Sequence, residues 1–146
     1  KGFGTQKKAA MPQSLANIAI HVVFSTKCRK PWLQKEPLRS ELHEQLAATS
    51  GRMGCPALAV GGVEDHVHLL GRLARTASVA DWIKELKRTS SLWIKQRDQR
   101  LAQFQWQAGY GAFSVSQSNV RAVVRYIENQ AAHHCTCEFR TSIVCS

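Results

Sequence analysis

Residues 63–70 read VEDHVHLL and place two histidines two positions apart in an otherwise apolar run. Such alternation predicts a β-strand. One face carries Val63, Asp65, Val67 and Leu69, and the other carries Glu64, His66, His68 and Leu70. The two imidazoles would lie about 6.5–7 Å apart, close enough to converge on one metal ion. A pair of half-buried strand histidines, hydrogen-bonded to backbone or water, is the commoner case for this spacing alone.

The segments on either side predict the remaining strands and helices. NIAIHVVFST (17–26) is β-branched and predicts a strand, and further strands are expected at 57–64, at 66–73 and within 104–116. Helical spacing of leucines predicts a helix over 37–50 that ends at Gly51. A second helix starts after Ser78 and runs to about Arg97, and a third runs from Ser118 to about His133.

The order of these elements predicts an α+β fold. It is β-α-β-β-α-β followed by a further helix, which is the ferredoxin-like arrangement of an antiparallel sheet with two helices on one face. The strand with the two histidines is then an inner strand. We expect a ligand to lie on the sheet face that the two helices leave uncovered.

The length and the net charge of the chain limit the number of domains and the kind of partner that it can have. The chain has 146 residues, enough for one domain, and a formal net charge of +10, which favours a polyanionic partner such as nucleic acid. No apolar run approaches 18 residues and no signal peptide is recognisable, so we expect a cytoplasmic protein with reduced cysteines. Residues 1–10 are predicted to be a disordered leader, 11–134 the domain, and 135–146 an atypical, disordered tail.

The last predicted helix supplies a second pair of polar side chains. Tyr126 and Gln130 are four residues apart, so they share a helical face. His66, His68 and the amide oxygen of Gln130 are neutral ligands that can hold a divalent cation against a phosphodiester. Tyr126 could then attack the phosphorus and conserve the energy of the broken bond. A metal-activated water would give irreversible hydrolysis instead.

Four segments together carry a family resemblance: IHVVFSTKCRKPW (20–32), EDHVHLL (64–70), WQAGYGAFSVSQS (106–118) and VRYIENQAAHH (124–134). From about Met11 to His134 the chain resembles the single-tyrosine HUH transposases of the IS200-like group and their REP-associated relatives. The resemblance implies that Tyr126 is the nucleophile and that His66, His68 and Gln130 are the metal ligands.

The same resemblance implies cleavage and rejoining of single-stranded DNA at hairpin-marked ends through a 5′-phosphotyrosine. It further implies Mg²⁺ or Mn²⁺, no nucleotide cofactor, a nucleoid-associated bacterial setting, and a homodimer in which the tyrosine helix can serve the partner's site. Whether the tyrosine acts in its own chain or in the partner stays open. Ligand type alone would favour zinc or manganese over magnesium for two imidazoles, so the identity of the ion stays open.

Basic and aromatic residues are candidates for DNA contact. The predicted DNA-binding set divides into a loop cluster and a helix stripe: Lys27, Arg29 and Lys30, and Lys84, Arg88 and Lys95. Trp106, Tyr110 and Phe113 could stack on unpaired bases or occupy core and turn positions. His21 could approach the active site from the first strand or simply pack there.

Two other functions remain open at this stage. One is a domesticated REP-associated endonuclease, or a relaxase or replication initiator, with the same chemistry. The other is a noncatalytic nucleic-acid-binding module with a ferredoxin-like sheet, which needs the charge and the aromatic residues but not the four candidate site residues together.

Overall fold

The computed structural model describes residues 15–130 of the chain. Its strands are β1 (Ala19–Ser25), β2 (Ala57–Gly62), β3 (His66–Arg72) and β4 (Gly111–Val115), and its α-helices are α1 (Leu38–Arg52), α2 (Val79–Arg97) and α3 (Val120–Glu128). Short 3-10 helices span Lys27–Arg29, Gln99–Leu101 and Gln117–Asn119. The predicted leader, tail and outermost domain residues lie outside the described part.

The four strands form one antiparallel sheet in the order β2-β3-β1-β4. This order follows from inserting β3 between β1 and β2, and it confirms the predicted ferredoxin-like α+β fold with an extra helix. β3 is an inner strand, as expected. Ser25 pairs with His66 and Val23 with His68, so β1 runs alongside both histidines.

The two faces of the sheet bury different sets of side chains. Alternate residues of β1 and β3 pack against α1 and α2 in the larger core, which includes Val22, Phe24, Val67, Leu69, Leu42, Leu46, Trp82, Leu86 and Ile94. The opposite face forms a smaller cluster around Ala19, Ala59, Leu70 and Ile127, and it is covered in part by α3. The histidines of β3 therefore lie on the face shared with α3.

The ends of the helices follow local chemistry. The Ser78 side chain accepts a hydrogen bond from the Asp81 N–H, which confirms the predicted start of α2. The helix predicted over 37–50 continues for two more residues, through Gly51 to Arg52, so the predicted end is wrong. The left-handed turn belongs to Gly54, with φ of 76°, where a side chain would be strained.

The aromatic region before β4 is mostly a loop. β4 covers only Gly111–Val115 of the predicted 104–116. Phe104 is buried, and the half-buried Trp106 packs edge-on against Phe24 with ring centroids 4.7 Å apart. Its indole N–H donates to Ser90 Oγ at 2.9 Å. Trp106 thus serves the core rather than a base-stacking surface.

Two further expectations from the sequence can be assessed. Cys55 is a free, buried thiol, in agreement with the expectation of reduced cysteines. Within residues 15–130, no helix has the length and apolar character needed to cross a membrane.

Candidate active site

His66 and His68 both project from β3 toward α3, as strand alternation predicts. Their ring centroids lie 5.0 Å apart, with the ring planes at 71°. His68 is 1% exposed, whereas the His66 side chain keeps 19% of its surface open. The pair therefore presents one enclosed imidazole and one that solvent or a ligand can reach.

A separate side chain engages the Nδ1 atom of each histidine. His66 Nδ1 lies 2.7 Å from Asp65 Oδ1, and the other oxygen of this carboxylate accepts from Arg29 Nε at 3.0 Å. His68 Nδ1 lies 2.9 Å from His21 Nε2. Partners at Nδ1 orient a ring and fix its tautomer, as is usual for histidines that bind a metal through Nε2.

The electrostatics of the site keep the buried ring neutral. Burial, together with the charges that His66 and His21 can carry nearby, lowers the pKa of His68 to about 3. Burial also lowers the pKa of His21. Burial opposes ionisation of Asp65, but hydrogen bonds from His66 and Arg29 outweigh it and hold the pKa of Asp65 below its ordinary value. The site therefore contains a neutral imidazole, His68, and an ionised carboxylate, Asp65.

Tyr126 lies on α3 directly beside these rings. Its ring meets His68 edge-on with centroids 5.6 Å apart, and it lies 6.3 Å from His21. The neighbouring Ile127 is fully buried and anchors the helix against the sheet. Gly61 allows this close approach, since a Cβ there would stand 2.2 Å from the Ile127 carbonyl oxygen. The structure thus brings Tyr126 to the histidines of its own chain.

The helix predicted to run to about His133 ends at Glu128, so Gln130 lies two residues beyond α3, where it is 7% exposed. Its Nε2 donates to the Tyr126 carbonyl oxygen at 3.1 Å, so the amide is held at the end of α3 and Oε1 is the atom suited to a cation. No three His, Cys, Asp or Glu side chains converge as a metal site within residues 15–130. Two imidazoles and an amide oxygen nevertheless fit a Mn²⁺ or Mg²⁺ ion that takes further oxygens from water or phosphate.

The structure divides the predicted DNA-binding residues between the two sides of the sheet. The loop cluster follows the end of β1: Lys27, Arg29 and Lys30 are exposed, and Arg29 contacts Asp65 beside His66. The helix stripe, Lys84, Arg88 and Lys95, is exposed on α2 in the opposite layer. Arg88 is also paired with Glu85. Only the loop cluster adjoins the candidate site.

The sequence left the role of His21 open and placed Asp65 on the wrong face. His21 has the signal of alternation, since it shares a face of β1 with Ala19 and Val23, but its bond to His68 depends on strand register. Asp65 was predicted to face away from His66. That placement is wrong because β3 begins at His66, and the preceding turn lets the Asp65 carboxylate reach the ring.

The fold and this cluster can be compared with known proteins. The sequence profile of the family described as IS200-like transposases matches residues 14–130. The chain therefore belongs to the IS200-like transposase family. Family membership confirms the predicted class, a DNA-processing transposase. No curated protein matches the chain.

Solved structures that are similar to the chain include two transposases. One is the crystal structure of a Deinococcus radiodurans R1 protein described as a transposase, with 25% identity, a TM-score of 0.66, and coverage of 81% of this chain and 94% of that one. The other is a REP-associated tyrosine transposase bound to a REP hairpin, with 14% identity, a TM-score of 0.62, and coverage of 83% and 70%. At that identity the second likeness is one of fold.

Proposed function

We propose that the chain is a metal-dependent transposase that cleaves and rejoins single-stranded DNA at hairpin-marked ends through Tyr126. The observation that carries this proposal is the edge-on packing of Tyr126 against His68, 5.6 Å between ring centroids, within one chain. If Tyr126 only packed against the sheet, it would not require His66 and His68 on the same face, each with a hydrogen-bond partner at Nδ1.

The chain's own residues account for the steps of the reaction. The Tyr126 oxygen forms a bond to phosphorus as the bond to the 3′ oxygen breaks; the phenol loses its proton to water and the leaving oxygen gains one. The product is a 5′-phosphotyrosine and a free 3′ hydroxyl. A 3′ hydroxyl of another strand reverses the step and joins the ends, so no nucleotide cofactor is required.

A divalent cation, when bound, polarises the scissile phosphate and stabilises the charge that develops on it. His66, His68 and Gln130 would hold it. Asp65 and His21 orient the two rings, and burial keeps His68 neutral so that its nitrogen can donate to a cation. Mg²⁺ and Mn²⁺ are both compatible with this set.

The nucleic-acid partner is proposed to be a single strand with a hairpin. The support is the family, the net charge of +10, and the similar fold of a REP-associated transposase that is bound to a REP hairpin. A domesticated REP-associated endonuclease would use the same four residues, and the DNA that borders the gene separates the two. Palindromes close to both ends favour a mobile element.

A covalent-adduct experiment tests the nucleophile. A labelled hairpin oligonucleotide with single-stranded flanks from the gene's borders is incubated with Mn²⁺ and run on a denaturing protein gel. The chain contains two tyrosines, so Tyr110→Phe is a matched control for Tyr126→Phe. We expect adduct from the wild type and Tyr110→Phe and none from Tyr126→Phe. An adduct on Tyr126→Phe contradicts the proposal, and cleavage without adduct identifies a hydrolytic nuclease.

We also propose that the protein is a homodimer, as the family resemblance implies. Each active site would be built within one chain, because α3 packs against β2 and β3 of its own sheet. Light scattering at tens of micromolar measures the assembly. Mixing Tyr126→Phe with His68→Ala then tests the site: we expect no recovery of adduct. Recovery would mean that the tyrosine serves the partner chain.

A further inference from the structure

A cavity of about 430 Å³ opens beside Tyr126 on the histidine face of the sheet. It lies between β1, β4 and the start of α3. The lining side chains that matter here are His21, Phe113, Ser116, Asn119, Val123 and Tyr126. Its volume falls in the range of roughly 300–1,000 Å³ that is typical of sites for small ligands. The cavity therefore has room for a planar group next to the proposed nucleophile.

Phe113 gives the cavity an aromatic wall. The residue is 45% exposed although it lies on a strand, and its ring centroid is 6.3 Å from that of His21. Gly111, two residues earlier on the same face, makes room for the ring, because a Cβ there would stand 2.9 Å from Phe113 Cε2. Absence of a side chain at Gly111 thus lets Phe113 lie along the sheet.

The remaining walls combine hydroxyl and amide groups with the apolar side chains of Val115, Ala122 and Val123. Ser114 and Ser116 line the cavity, and the Ser116 hydroxyl is 3.3 Å from that of Ser118. Asn119 also lines it, and its side chain does not cap α3. Among the described lining residues there is no Lys, Arg, Asp or Glu. A neutral site with hydroxyl, amide and aromatic groups suits a nucleobase better than a phosphate, which basic groups would bind.

We propose that this cavity holds one unpaired base of the DNA strand, next to the scissile phosphate, with its face on Phe113 and its edge toward Ser116 and Asn119. The inference rests on the proposed function, because Tyr126 forms both a wall of the cavity and the point of attack. The shared wall places the base within a nucleotide or two of the phosphorus. The site would thereby select an unpaired strand and set the register of cleavage.

A binding experiment without cleavage tests the cavity. The probes are a labelled 15-mer of thymidylate and a labelled 15-mer of abasic residues, and binding is measured in chelator. Both probes carry the same phosphates. The dissociation constant of the abasic probe divided by that of the thymidylate probe therefore reports contact with the bases alone. We expect Phe113→Leu to reduce this ratio at least about fivefold, in line with loss of one base–aromatic stack. Phe113→Trp should retain the ratio.

The controls separate this inference from the proposed chemistry. Tyr110→Leu removes another aromatic ring, 43% exposed, that does not line the cavity, and should leave the ratio unchanged. Tyr126→Phe keeps its ring and should keep the ratio while losing the adduct. An unchanged ratio in Phe113→Leu overturns the base site even if the adduct forms normally. A reduced ratio supports the site even if Tyr126 is not the nucleophile.

Discussion

His21 Nε2 lies 2.9 Å from His68 Nδ1, and the two rings stack with centroids 5.1 Å apart. Both residues are buried, on the adjacent strands β1 and β3. A cation can bind His68 through Nε2 only when the His68 Nδ1 atom carries the ring proton. His68 Nδ1 then donates the hydrogen bond and His21 Nε2 accepts it. His21 is therefore a positioning residue for His68. It lies on β1, a strand that contributes none of the predicted ligands.

Replacing His21 should weaken metal binding according to the acceptor that remains. His21→Phe keeps the ring shape but removes the nitrogen, and we expect Mn²⁺ affinity to fall about 10-fold or more, the range for lost partners of metal-binding histidines. His21→Gln offers an amide oxygen near the same position and should retain most of the affinity. Calorimetry of Mn²⁺ binding, without DNA, measures both. Equal affinity in His21→Phe and the wild type would contradict the positioning role.

Gly61→Ala should displace the tyrosine helix. Gly61 pairs with His68 in the sheet, and a Cβ would stand 2.2 Å from the Ile127 carbonyl oxygen, where only movement of α3 relieves the clash. We expect a loss of about 1–3 kcal/mol in the free energy of unfolding, as for other overpacked sites, together with loss of the adduct. Urea unfolding and the adduct gel measure the two effects.

Gly51→Ala is the matched control for that change. A Cβ at Gly51 meets no atom within 4 Å, and the residue is helical and exposed within α1. Alanine should there stabilise the protein by up to about 1 kcal/mol and leave the adduct intact. Normal adduct formation by Gly61→Ala would mean that α3 does not need this contact to place Tyr126.

The strands and α2 could be predicted because their signals are local. Alternation in VEDHVHLL assigns His66 and His68 to one face, and the Ser78 cap defines the start of α2. Two contacts could not be predicted in this way. The hydrogen bond between His21 and His68 depends on the register of β1 with β3, and the contact of Asp65 with His66 depends on the turn before β3. The cavity beside Phe113 depends on where α3 crosses the sheet, which no local pattern specifies.

The loop cluster and the helix stripe should differ in their effect on the salt dependence of DNA binding. Lys27 and Lys30 lie near the site, whereas Lys84 and Lys95 lie on α2 in the opposite layer. On single strands each phosphate contact contributes about 0.7 to the slope of log K against log salt. We expect Lys27→Gln with Lys30→Gln to reduce the slope by about 1.4, and the double variant on α2 to leave it unchanged. Equal reductions would mean that DNA also follows α2.

His43 on α1 should make the stability of the fold depend on pH. It is partly buried, and its Nε2 has no hydrogen-bond partner within residues 15–130. Burial lowers its pKa from 6.5 to about 4; Arg39 acts in the same direction and Glu36 opposes it. Between pH 6.5 and pH 4, His43 binds a proton in the unfolded chain but not in the folded chain. The folded chain therefore has its full stability with respect to His43 above pH 6.5, and this stability is lost as the pH falls toward 4.

The expected loss that is due to His43 alone, from pH 7 to pH 5, is about 2 kcal/mol in the free energy of unfolding. His68 adds a change of the same sign, so the comparison must be made between variants rather than between conditions. His43 lines a pocket together with residues of β2, and His43→Leu keeps a side chain there while removing the titrating group. Urea unfolding in chelator at both pH values should show that the variant loses about 2 kcal/mol less than the wild type. Equal losses in the two proteins would show that the His43 ring is protonated as readily in the folded chain as in the unfolded one.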